Sequence, residues 1–204
     1  MGSPVSVSVK VEGGAVNVSG AGDIVRNRRG LNAALGARLE ELLIEHFRAK
    51  NARGNKRGWP RSNFWLDVAR STQLLRVDEA VAVVQVGDSR FPIHVYGKKG
   101  LKPKQAPVLT IPLHPMAKGK FVKDLRAEGV EIFQPKKKGG GGLANILATK
   151  VSGVMVPLYA LKDSVDIPKD PDALPRDAEI EDALAEEVND YLDREIAKLE
   201  GGQA

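Results

Sequence analysis

The chain has 204 residues, 42% apolar and only 5% aromatic, which allows one domain with an aliphatic core, with or without extended arms. It has no cysteine, which excludes disulfides, thiolate metal sites and cysteine nucleophiles and fits assembly in a reducing cytosol. The net charge of +5 hides a division: residues 1–150 hold 26 Lys+Arg against 12 Asp+Glu, net +14, while residues 151–204 hold 5 against 14, net −9.

Such polarity serves a basic surface meeting nucleic acid, or head-to-tail docking of identical subunits; charge alone leaves both open. No apolar run approaches the ~18 residues of a membrane span, and the start "MGSPVSVSVKVEG" lacks the basic and apolar regions of a signal peptide.

In chain order, "VSVSVKV" alternates Val5, Val7, Val9 and Val11 with polar residues and predicts a half-buried strand; "AVNVSG" reads as its hairpin return. Leu31, Leu35, Leu39, Leu42, Leu43 and Phe47 predict a helix over 31–50, ended by the breakers at 51–58. Ser62 reads as the N-cap of a second helix whose apolar face is Trp65, Val68 and Ala69, with Phe64 alongside. "EAVAVVQVG" predicts a well-covered strand, and "FPIHVYG" a short extended piece. "GKKGLKPKQAP" is a basic loop, and "VLTIPL" a strand that Pro112 places at an edge or near its end. "VEIFQ" suggests another strand, "KKKGGGG" a flexible loop, "VMVPLYAL" a further strand and "DIPKDPDALP" a proline-rich arm. The last element is a helix over 177–199 with Ile180, Leu184, Val188, Tyr191, Leu192, Ile196 and Leu199 on one stripe.

Catalytic patterns are missing. His46, His94 and His114 are scattered; His46 follows Glu45 near a helix end without the second histidine of a zincin, and His94 with His114 would flank a site only if the fold joined them. The glycine runs lack both the Gly-x-Ser-x-Gly of a nucleophile elbow and the Gly-Lys-Ser/Thr of a phosphate loop. The carboxylates concentrate on the last helix, where a solvated or partner-facing side is the natural role. The expectation is therefore no enzyme, no cofactor and no metal. Basic segments, with Lys136, Lys137 and Lys138 the densest, suit phosphate contact or a protein partner, and no zinc-finger, RNP or helix-turn-helix pattern accompanies them.

The segment "EHFRAKNARGNKRGWPRSNFWLDVARST" carries His46-Phe47-Arg48, Asn55-Lys56-Arg57-Gly58, Pro60-Arg61-Ser62-Asn63-Phe64-Trp65 and Ala69-Arg70-Ser71-Thr72. Downstream come "IHVYGKKGLKPK", "VLTIPL" and "LKDSVDIPKDPDALP", followed by an acidic amphipathic helix. In this order the motifs resemble the phage virion-morphogenesis or tail-completion family, in the branch of Mu-like phages and prophages. The likeness runs from about Leu31 to Leu199; Lys98 departs from a loop glycine of the pattern, and "PKKKGGGG" is an addition. The resemblance implies a structural virion protein at the neck, a tail terminator or head–tail joining component. It implies a homo-oligomeric, hexameric ring between tail tube and head-closure or connector proteins, assembled in the host cytoplasm, with non-specific contact to DNA in the channel. The alternative is a basic DNA-binding accessory protein of a phage or prophage.

The expected fold is α+β: a small, mostly antiparallel sheet packed with helices, a long C-terminal amphipathic helix and extended arms. The expected segments are an N-terminal β-hairpin or arm (1–30), an α+β core with basic loops (31–175) and the acidic helix and tail (176–204). Candidate partner contacts are Trp59, Arg61, Phe64, Lys98, Lys99, Lys102 and Lys104. Trp65 is read as core, and Trp59 as either core or interface anchor.

Overall fold

Leu35, Leu39, Leu43 and Phe47 recur every fourth residue, and in the computed structural model they form the buried face of helix α1 (Arg28–Ala52). The structure describes residues 5–9, 28–53, 58–59, 62–137, 139 and 142–201. It is an α+β fold of antiparallel sheets and helices. The chain divides into two compact units: unit one is Met1–Arg53, Asn63–Tyr96 and Lys169–Ala204; unit two is Gly54–Ser62 and Gly97–Pro168. This division cuts across the segments expected at 1–30, 31–175 and 176–204, because the body is shared between the units and the last helix belongs with α1.

In unit one, strands β1 (Val5–Val9), β2 (Thr72–Val77) and β3 (Ala82–Val86) form an antiparallel sheet in the order β1-β3-β2. The partner of β1 is β3, with Val5 opposite Val86 and Val9 opposite Ala82; the expected hairpin return at 15–20 lies outside the described residues. Ala82, Val84 and Val86 of the central strand are buried, every second residue, as a strand facing a helix requires. Strand β2 lies where the sequence reading assigned no element. Helix α2 (Phe64–Arg70) stops at Ser71, and the Thr72 hydroxyl donates to the Val68 carbonyl at 3.0 Å. The cap of α2 is Asn63, not Ser62: Asn63 is left-handed (φ 52°), and its carbonyl accepts from the Leu66 and Asp67 amides at 3.0 and 3.1 Å.

"FPIHVYG" is not extended. It forms helix α3 (Phe91–Tyr96), because the Asp88 carboxylate accepts from the Arg90 amide at 2.8 Å, the Asp88 carbonyl accepts from Phe91, and Pro92 sits in the first turn, where no amide is needed. Helix α5 (Asp177–Gly201) closes the unit against α1.

Unit two holds two small sheets. Strand β4 (Lys98–Leu101) pairs with β8 (Val165–Ile167). Strands β5 (Leu109–Pro112), β6 (Ile146–Val151) and β7 (Val154–Lys162) align in the order β5-β7-β6, so Pro112 ends an edge strand. Strand β6 was not evident in the sequence, and "VEIFQ", expected to be a strand, makes only a single bridge between Phe133 and Ala148. Helix α4 (Val122–Ala127) begins where the Asp124 carboxylate accepts from the Phe121 amide at 2.8 Å. The core is small, namely Ala117, Leu125, Ile132, Leu158 and Tyr159; the buried Tyr159 ring is anchored by its hydroxyl donating to the Lys120 carbonyl at 3.0 Å. Among the described residues no helix is long and apolar enough to cross a membrane.

Candidate functional site

The aromatic pair Phe64–Trp65 faces the unit-one core. Trp65 stacks on Phe47 with ring centroids 6.0 Å apart, meets Phe91 edge-on at 6.2 Å and Phe64 at 4.9 Å. His94, brought in by α3, lies 4.5 Å from the Phe64 ring and 5.3 Å from Trp65. Burial disfavours its charged form and holds its pKa below the ordinary histidine value, with the Asp170 carboxylate opposing the shift and Lys50 adding to it. Trp65 is thus part of the intrachain core, while Phe64 is partly buried against it.

Charged groups rim this cluster. Lys50 Nζ stands 4.6 Å over the Trp65 ring, 2.9 Å from Asp170 Oδ2 and 2.7 Å from the Asp172 carbonyl. His46 Nε2 shares that carbonyl at 3.0 Å. The Asp170 amide donates to the His94 carbonyl at 2.7 Å, and Ala173 and Pro175 are buried. The proline-rich segment read as an arm is therefore, over residues 169–175, a strap held on its own unit. Burial alone would raise the Asp170 pKa; hydrogen bonds from Lys50 and the Asp172 amide outweigh it and hold the carboxyl below its usual range.

On the other side, Arg90 lies 5.0 Å over the Phe64 ring and bridges Asp67 at 3.0 Å and Asp88 at 2.5 Å. Its bond from Arg90 holds Asp88 below the usual carboxylate range. Each of these charged groups has a partner in place, so the cluster is built to lock a packing arrangement. No group of three His, Asp or Glu is positioned for a metal among the described residues.

The remaining candidates fall elsewhere. Trp59 is partly buried in unit two; Arg61 and Lys138 lie outside the described residues. Lys98, Lys99, Lys102 and Lys104 are all exposed, on β4 and the loop after it. Lys136 and Lys137 are exposed, and the Lys137 amide donates to the Gly142 carbonyl at 2.8 Å. His94 belongs to unit one, whereas His114 belongs to unit two, where its Nδ1 accepts from the Met116 amide at 3.2 Å. Of the α5 stripe, Tyr191 is buried, Ile180 and Leu184 pack on the core, Val188 and Leu192 are partly buried, and Ile196 is exposed.

Surface features absent from the sequence reading are Phe121 (68% exposed) and the tip of the β6–β7 hairpin, with Val151, Val154 and Met155 at 46%, 66% and 50%. Among the described residues, seven of ten large exposed apolar side chains belong to unit two. Residues 97–168 of that unit hold 13 Lys+Arg against 5 Asp+Glu, net +8, and α5 holds 2 against 10, net −8. The chain matches no protein-family model, no curated protein and no solved structure.

Proposed function

We propose that the chain is a structural virion protein of a tailed bacteriophage. In this reading it is a neck or tail-completion component, tail terminator or head–tail joiner, that works by assembly and not by catalysis. The observation that carries the reading is the separation of charge: unit two is basic and holds most of the exposed large apolar side chains among the described residues, whereas helix α5 of unit one is acidic. A ring of identical subunits uses heterologous contacts in which one face meets a different face of the next copy, and opposite charges on those faces favour that arrangement over like-on-like pairing. The ordered motifs between Leu31 and Leu199 that resemble the tail-completion family point the same way.

The second reading is direct DNA binding by an accessory protein, favoured by the four exposed lysines at 98, 99, 102 and 104. The deciding measurement is the mass of the purified chain in solution, alone and mixed with tail tubes or DNA-filled heads of the phage that encodes it. A ring-sized species, or capture at one end of tails or at the head vertex, is expected. A monomer that ignores both particles and binds duplex DNA at nanomolar concentrations refutes the neck role and promotes the second reading.

A further inference from the structure

The β6–β7 hairpin turns through Ser152 (φ 51°) and Gly153 (φ 81°), a two-residue turn with both residues left-handed. Val151 and Val154 flank it as a cross-strand pair, and Lys150 pairs with Met155 one step back. A solvent-facing turn ordinarily carries polar residues, whereas here three apolar side chains within five positions are about half exposed or more. Along β7 the row Val154, Val156, Leu158 runs from this bare tip into the buried core, so the apolar face continues past what its own unit covers.

Helix α5 presents the complementary problem. Asp182, Glu186, Asp190 and Asp193 are exposed along one face at helical spacing, and none has an ion pair among the described residues. Like charges a turn apart repel and weaken a helix, so this face gains from a cationic neighbour. The exposed Ala185 lies beside Asp182 and Glu186 and offers a small side chain on which valines can seat.

We propose that the hairpin tip of one copy, Val151, Val154 and Met155 with Lys150, docks on the Asp182–Asp193 face of α5 in a second copy. This rests on the head-to-tail reading above and names its two faces. A second copy is the favoured occupant because the tip carries Lys150 and belongs to a basic segment, net +8 over 97–168, whereas α5 is net −8, so opposite charges meet only when unlike parts do.

The chain is free of cysteine, so single cysteines report contact between copies. Full-length V154C is mixed with full-length E186C, or with D190C to cover a one-turn offset, and oxidised mildly. The expected result is a disulfide-linked dimer at least five-fold more abundant than in V154C alone or in V154C with Q73C, and suppressed by 1 M salt. Equal yields in test and control mixtures overturn the proposal. So does protection of V154C from maleimide by duplex DNA or by anionic vesicles, with no cross-link to α5. The cross-link is read on the purified chain and the neck role on phage particles, so either can fail while the other stands.

Discussion

Gly36 occupies the middle of α1, where glycine costs about 1 kcal/mol relative to alanine. It is tolerated because α1 lies directly on the sheet: a Cβ there would stand 2.7 Å from Leu74 Cδ1 and 2.9 Å from Ala82 Cβ. The Leu74 methyl can swing away, but the Ala82 Cβ is fixed to a central strand. Overpacking of this kind costs about 1–3 kcal/mol, which exceeds the propensity gain. Gly36→Ala should therefore lower the urea midpoint with an unchanged m-value, and Gly36→Val should lower it further; a stabilised alanine variant would show that helix and sheet are not in this contact. His94 gives a pH prediction at the same scale. Its folded pKa is depressed by burial, so the unfolded chain takes up a proton that the folded chain resists. Stability is then fully present above the ordinary histidine value of about 6.5 and declines as pH falls below it toward the folded pKa. Tm measured from pH 8 to pH 5 should drop over this window, and His94→Phe should flatten that part of the curve.

At the scale of elements, the strap at 169–175 depends on Lys50, whose side chain is only 12% exposed and satisfies both Asp170 and the Asp172 carbonyl. Lys50→Met keeps the apolar stem over Trp65 but leaves a partly buried carboxylate without its cation, a loss of about 1–3 kcal/mol. Hydrogen exchange at the Asp170 and Ala173 amides should accelerate ahead of the α1 amides, and Asp170→Asn in the same chain should restore part of the stability. The long helices were legible in the sequence because a 3.6-residue period sustained over about four to five turns has few rivals. The short elements were not. "FPIHVYG" is β-branched and aromatic, and only the Asp88 turn and Pro92 reveal a helix start. "TQLLRV" shows no alternation because its ladder with β3 carries an irregularity between Leu74 and Arg76. In β6, "ILATKV" mixes small and charged residues around an irregularity at Leu147–Ala148. For the site, Trp65 was read as core, but the placement of His94 beside Trp65 and of Asp170 on Lys50 depends on contacts between residues 29 and 120 positions apart in the chain, which no local pattern encodes.

At the scale of the whole molecule, the question is what the basic unit meets. Lys98, Lys99, Lys102 and Lys104 lie on an exposed strand and loop, without an ion-pair partner among the described residues. If all four touched phosphates, the logarithm of affinity for duplex DNA would fall with the logarithm of salt at a slope of roughly −3.6, by the rule of about 0.9 per contact. A contact of this size, with no base-reading element beside it, gives weak, sequence-blind binding in the micromolar range or weaker at physiological salt. That is what a protein lining a DNA passage needs, since tight binding would hold the DNA in place. Titration of labelled duplexes of two unrelated sequences at 50, 100 and 200 mM salt should give equal affinities and a slope no steeper than about −4. Charge reversal of the four lysines should abolish it. A nanomolar, sequence-dependent affinity at physiological salt would instead make DNA the primary partner, and the acidic helix would then need another explanation.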